Sequence, residues 1–154
     1  MKIDLFDRKI LSLMQKNCRI SVRVLSESVG LSASATQRRV NRLREIGAIE
    51  REVAIVNQSI IDTEIILIVD ISLSGESYQQ SQEFRKSLSE HENVKHCYFV
   101  TGQKDYVVIF SARTMESYEQ FMVDYLFDNP IVHNFSSRTV IKTLKESLEL
   151  QILN

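Results

Sequence analysis

Residues 20–47 (ISVRVLSESVGLSASATQRRVNRLREIG) constrain the fold more than any other stretch, because two short helical patterns meet there at a tight turn. Ser21 is placed to cap the first pattern, with Val22, Leu25 and Val29 facing inward at helical spacing. Gly30 can take the left-handed conformation that ends a helix, and Ser32 can cap the next one. The second pattern turns Ala33, Thr36, Val40 and Leu43 inward and stops at Gly47. Upstream, Asp4 caps a further helix, Asp7 sits in its favourable first turn, and Phe6, Ile10, Leu13 and Met14 share one face. Three short helices around one small core follow.

The outer face of the third helix is polar and basic. Ser34, Arg38, Asn41, Arg42 and Glu45 lie opposite the apolar stripe, Gln37 and Arg39 flank them, and Arg44 follows. A helix with one apolar face and one arginine-rich face suits the major groove of DNA. Residues near such a helix's start reach base edges, and arginines further along meet phosphates. The expected contact set is Ser32, Ser34, Ala35, Thr36, Gln37, Arg38, Arg39, Asn41 and Arg42. Arg38 is the foremost base reader, with guanine as its target; Arg39 and Arg42 read as phosphate clamps.

Charge is distributed to match. Residues 1–56 hold eleven Lys/Arg against six Asp/Glu, whereas residues 57–154 hold eight against fourteen, so the net −1 conceals a basic and an acidic part. Two modules are implied, the basic one meeting a polyanion. The 154 residues suffice for two small domains, and 44% apolar content supports packed cores. No apolar run approaches the roughly 18 residues of a membrane span, and the N-terminal sequence has no signal-like apolar core, so a cytoplasmic protein is expected. Cys18 and Cys97 form no CxxC, and His91, His96 and His133 lack metal-ligand spacing, so reduced thiols, no metal and no cofactor are expected.

Residues 49–57 (IEREVAIVN) alternate and suggest a strand leaving the helices, with residues 57–63 as a linker. Beyond it the pattern reads strand, helix, strand, strand, helix, strand. The strands are 65–71, 96–101, 106–112 and 138–144; the helices are 78–90 and 115–127, the latter closed by Pro130; the tail 145–154 is amphipathic or frayed. The order βαββαβ is the ferredoxin-like arrangement. With both helices on one face of an antiparallel sheet, an Ile-, Val-, Phe- and Tyr-rich face stays open, and a homodimer is expected. The fold class is therefore α+β: a helix-turn-helix, winged-helix-like domain (1–56), a linker (57–63) and a ferredoxin-like domain (64–154).

The segment from IDLFDRKILSLM through SESVGLSASATQRRVNRLREIGAI, followed by VKHCYFVTGQKDYVVIF and the stretch from Pro130 to Lys145, resembles the Lrp/AsnC family of feast/famine regulators along nearly the whole chain. The resemblance implies a sequence-specific transcriptional regulator, not an enzyme, that dimerises through its second domain and can assemble to octamers. The operator would be a near-palindrome. It also implies an amino-acid effector bound between neighbouring subunits near Val100, Thr101, Gly102, Gln103, Lys104, Asp105 and Tyr106, with Arg138, Thr139 and Val140 supplying part of the wall. Gly102 would let a ligand approach the backbone, and Asp105 could pair with an α-ammonium. Arg138 near such a pocket would favour an acidic or polar ligand. The alternative is an architectural DNA-binding protein with no small ligand.

Overall fold

The computed structural model describes residues 3–57, 60, 65–75 and 78–152. The chain divides into two compact units, one comprising Met1–Ile55 with Lys145–Asn154 and the other Val56–Leu144.

The first unit holds α1 (Leu5–Met14), α2 (Val22–Val29) and α3 (Ala33–Glu45). Each start is capped by the residue the sequence singles out. The Asp4 carboxylate accepts from the Asp7 amide in a reciprocal capping box, and the Ser21 and Ser32 hydroxyls accept from Val24 and Ala35. Gly30 ends α2 at φ +77°, a conformation a Cβ would strain. Ile10, Met14, Leu25, Val29, Val40 and Leu43 form the core. Thr36 joins them inside, whereas Ala33 is exposed, because the buried stripe of α3 begins one turn later than the spacing suggests.

The strand expected over 49–57 does not form: residues 50–57 carry no regular structure, and Val53, Ile55 and Val56 are exposed. Alternation alone makes no strand without a neighbour to complete its hydrogen bonds, so among the described residues no wing strand follows the helices. Of the 57–63 linker only Asn57 and Ile60 fall within the described residues. The tail, expected with the second domain, groups with the first unit. There the Gln15 side-chain amide donates to the Leu150 carbonyl (2.9 Å) and accepts from the Leu150 amide (3.0 Å), and an Arg8 Nη donates to the Ile152 carbonyl (3.1 Å).

The second unit is the βαββαβ arrangement: β1 (Ile65–Leu73), α4 (Tyr78–Glu90), β2 (Val94–Phe99), β3 (Tyr106–Ala112), α5 (Met115–Met122) and β4 (Val132–Thr139). The sheet is antiparallel throughout, in the order β2-β3-β1-β4. Alternate residues Leu67, Val69, Ile71, Tyr106, Val108 and Phe110 point to the face where Phe84 and Leu88 of α4 and Tyr118 and Phe121 of α5 pack. The opposite face presents Ile66, Ile68, Val107 and Ile109, bordered by His96 stacked on Tyr98. The helix expected over 115–127 winds into a π-turn from Val123 to Phe127, which still buries Leu126. The last strand lies earlier than expected, at Val132–Thr139 instead of 138–144. It is an edge strand whose core-facing positions include Ser137, hydrogen-bonded to the Tyr118 hydroxyl, so only Val132 and Phe135 add apolar contact and its composition is too polar to announce it.

Candidate nucleic-acid interface and effector turn

The exposed face of α3 carries Ser34, Gln37, Arg38, Asn41, Arg42 and Glu45 around one shallow concavity. Capping orders its N-terminal end: the Ser32 hydroxyl receives the Ala35 amide at 3.2 Å and lies 3.3 Å from the Ser34 hydroxyl. One turn on, the Gln37 amide donates to Asn41 Oδ1 at 2.8 Å, fixing two side chains of the exposed face relative to each other. Arg38 is exposed and has no ion-pair partner among the described residues. Thr36, expected among the contacts, is fully buried, and its hydroxyl donates to the Ser32 carbonyl at 3.0 Å, so it cannot reach a base.

Three of the four arginines are engaged inside the protein. Arg39 bridges Asp4 (2.7 Å) and Asp7 (2.9 Å), and its guanidinium lies 5.4 Å from the Phe6 ring centroid. Arg42 pairs with the other oxygen of Asp7, while its Nε is buried without a hydrogen-bond partner among the described residues. Arg44 grips Glu52 through Nε (3.1 Å) and Nη2 (2.7 Å). The expected phosphate clamps Arg39 and Arg42 therefore first tie α3 to α1. The Asp7 amide, followed by the Arg39 guanidinium, holds the Asp4 carboxyl below its ordinary pKa; Asp4 and then Asp7 push that of Arg39 up.

The hub of this network, Asp7, is 0% exposed. It stands at i, i+3, i+7 with Ile10 and Met14, on the inward stripe of α1. The clue was present in the spacing: a buried carboxylate on an apolar stripe requires cationic partners, and two arginines of α3 supply them here.

In the second unit, residues 100–105 join β2 to β3, closed by the Val100 amide donating to the Asp105 carbonyl at 2.9 Å. Thr101, Gly102 and Gln103 are exposed, Val100 and Lys104 half-buried, and Gly102 has φ +123° with open space where a Cβ would project. Asp105 is anchored to the end of β1: its amide donates to the Ile71 carbonyl (2.9 Å) and its carboxylate accepts the Leu73 amide (2.8 Å). The group expected to face an α-ammonium is thus already an acceptor for backbone. Tyr106 points inward, 1% exposed.

Arg138, Thr139 and Val140 do not meet this turn within one chain. Thr139 pairs with Leu67 and the Val140 amide donates to the Ile66 carbonyl, whereas Tyr106 pairs with Ile71. Leu67 and Ile71 lie four residue steps apart along β1, about 13 Å of strand. Antiparallel pairing puts the end of β4 at the start of β1, and the β2–β3 turn lies at the other end. Arg138 instead pairs with Asp70 at 2.7 Å and remains 64% exposed.

Against known proteins, residues 3–44 match the AsnC-type helix-turn-helix domain and residues 66–150 match the Lrp/AsnC ligand binding domain. The chain belongs to the Lrp/AsnC family. It is 34% identical to the HTH-type transcriptional regulator y4tD of Sinorhizobium fredii, over 99% of this chain and 90% of that one. A crystal structure of an AsnC family transcriptional regulator from Agrobacterium tumefaciens superposes with a TM-score of 0.86 at 27% identity, covering 96% of this chain and 95% of that one. The Neisseria meningitidis regulator NMB0573, solved as a complex with L-Met, gives 0.86 at 26% identity, covering 97% and 96%. Lrp/AsnC regulators thus share both units of this chain, in the same order. No helix of the described residues is long and apolar enough to cross a membrane, and no group of metal-ligating side chains occurs among them.

Proposed function

We propose that this Lrp/AsnC protein is a cytoplasmic, non-catalytic regulator that reads operator DNA with α3. Base edges fall to Arg38, with Ser34, Gln37 and Asn41 beside it; Ser32 and Ala35 present the helix start to a phosphate. Arg38, exposed and without an ion-pair partner among the described residues while Arg39, Arg42 and Arg44 of the same helix are paired, carries this reading. Arg39 and Arg42 orient α3 and add phosphate contact only with their outer edges. The reading domain spans residues 1–56, residues 57–63 link it, and the effector and dimerisation domain begins at 64.

The open sheet face around Ile66, Ile68, Val107 and Ile109 supports a homodimer, which would present two α3 helices to a near-palindrome. A small amino acid is the proposed effector, supported by the L-Met complex of the Neisseria relative. The separation of the turn from residues 138–140 supports a site completed by a second copy, and hence assembly up to an octamer. Binding of operator DNA measured against salt tests the first part: affinity should fall steeply as salt rises, and a flat response would reject phosphate contact. A thermal-shift screen of the twenty amino acids tests the second, because a ligand of the folded state must raise its melting point. The commitment of Asp105 to the Leu73 amide favours a second reading, an architectural DNA-binding protein without effector. No shift with any amino acid would select it.

A further inference from the structure

Where α4 crosses the edge strand β2, a concavity of about 510 Å³ opens between Gln82, Arg85, Lys86, Cys97, Phe99 and Tyr106. It shares only Tyr106 with the turn set and lies on the helical side of the sheet, since Cys97 pairs with Val108 and Phe99 with Tyr106, both inward positions. Among the described residues lining it there are two cations and no carboxylate.

Arg85 is held in place there. Its Nε donates to the Tyr106 hydroxyl at 2.6 Å, and its guanidinium carbon lies 4.5 Å from the Phe99 ring centroid and 5.8 Å from that of Tyr106. The Tyr106 hydroxyl is fixed in turn, 3.3 Å from Ser81 Oγ. Arg39, Arg42, Arg44 and Arg138 each pair with an Asp or Glu; Arg85 pairs with none among the described residues. Stacking and one hydrogen bond have oriented it, and its two terminal amino groups remain to be satisfied. A pre-oriented guanidinium presenting its terminal pair is the geometry of a two-point carboxylate receptor.

We propose that Arg85, seated on Phe99 and Tyr106, binds the carboxylate of a small organic acid whose apolar body lies against Phe99 and Cys97. The ligand is a simple carboxylate and not an α-amino acid, because an ammonium would face Arg85 and Lys86, and the carboxylate beside them, Glu90, lies outside the lining and pairs with Lys86 at 3.9 Å. The site goes beyond the effector reading and stands whether or not the turn binds an amino acid.

Calorimetric titration of the full chain with phenylacetate, phenylacetamide and phenylalanine tests this. Phenylacetate should bind about ten-fold tighter than the neutral amide, and phenylalanine more weakly than phenylacetate. Arg85→Gln should bring the acid down to the amide, and Arg85→Lys, which keeps the charge without the fork, should lie between. Cys97 locates the ligand. Burial pushes its thiol pKa up, so alkylation is followed at mildly alkaline pH. Saturating phenylacetate should slow alkylation of Cys97 several-fold while leaving Cys18 unchanged as internal reference. Equal binding of acid and amide, full binding by folded Arg85→Gln, or an unprotected Cys97 overturns the proposal. If neither variant folds, the acid–amide comparison and Cys97 protection on the unaltered chain still decide it.

Discussion

Replacing Asp7 by alanine strips one carboxylate from two arginines at once. Asp7 has no solvent exposure, and it receives Arg39, Arg42 and the Asp4 amide. Breaking a buried pair by deleting one partner costs about 3–5 kcal/mol. Here the arginine side chains are 27% and 33% exposed, so water can reach part of each, and Arg39 keeps Asp4. The lower end, about 3 kcal/mol, is the appropriate figure. In a unit of this size each kcal/mol moves the midpoint by about 4–8 °C, so the helical unit should melt about 12–24 °C lower. Thermal unfolding followed by far-ultraviolet circular dichroism measures this. A second arm fixes the cause. With Arg42→Met already present, Asp7→Ala should cost at least about 1 kcal/mol less than in the unaltered chain, because the stranded cation is gone. An Asp7→Ala protein melting within about 2 °C of the parent, or strict additivity of the two changes, refutes the buried hub.

Arg38→Ala should weaken operator binding by about 1–3 kcal/mol in fluorescence anisotropy and relax one base position, while stability stays within about 0.5 kcal/mol. Uniform weakening over all sequences would make Arg38 a phosphate contact. Asp4 has a folded-state pKa below its ordinary value, first through the Asp7 amide and then through Arg39, so its contribution is fully present above the ordinary carboxylate range and is lost as pH falls through the lowered value. Acid titration of the melting temperature should show that limb, and Asp4→Asn should flatten it. Asp105→Ala leaves the Leu73 amide without its acceptor and should cost about 1–2 kcal/mol, seen locally as faster hydrogen exchange at Leu73.

Local chemistry was legible wherever one residue decides one event. Caps at Asp4, Ser21 and Ser32 and the stop at Gly30 are each set within a few residues, and the helices follow. Strands rich in buried apolar side chains, β1 and β3, and the periodic helix α4 were equally readable. What escaped depends on partners distant in sequence. β4 is specified by pairing with β1 across its whole length, and most of its residues are exposed, so no alternation marks it. The residues 49–57 show the reverse: alternation with no strand beside it. At the site, the face of α3 was readable from its own wheel, but the fate of its arginines was not, because Asp7 lies 32 residues from Arg39. The placement of Arg138 and Asp105 likewise follows from sheet register, not from the turn that carries one of them.

The grip of Gln15 on Leu150 spans 135 residues and joins two segments far apart in sequence into a single unit. At ribosomal speeds of about 5–20 residues per second, Leu150 emerges roughly 7–27 s after Gln15. The three helices, whose contacts are local, can pack during that interval, yet Gln15 and Arg8 wait for partners made much later. The helical unit is thus begun well before it is completed, and a nascent chain that has not reached Leu150 presents it with that strap still missing.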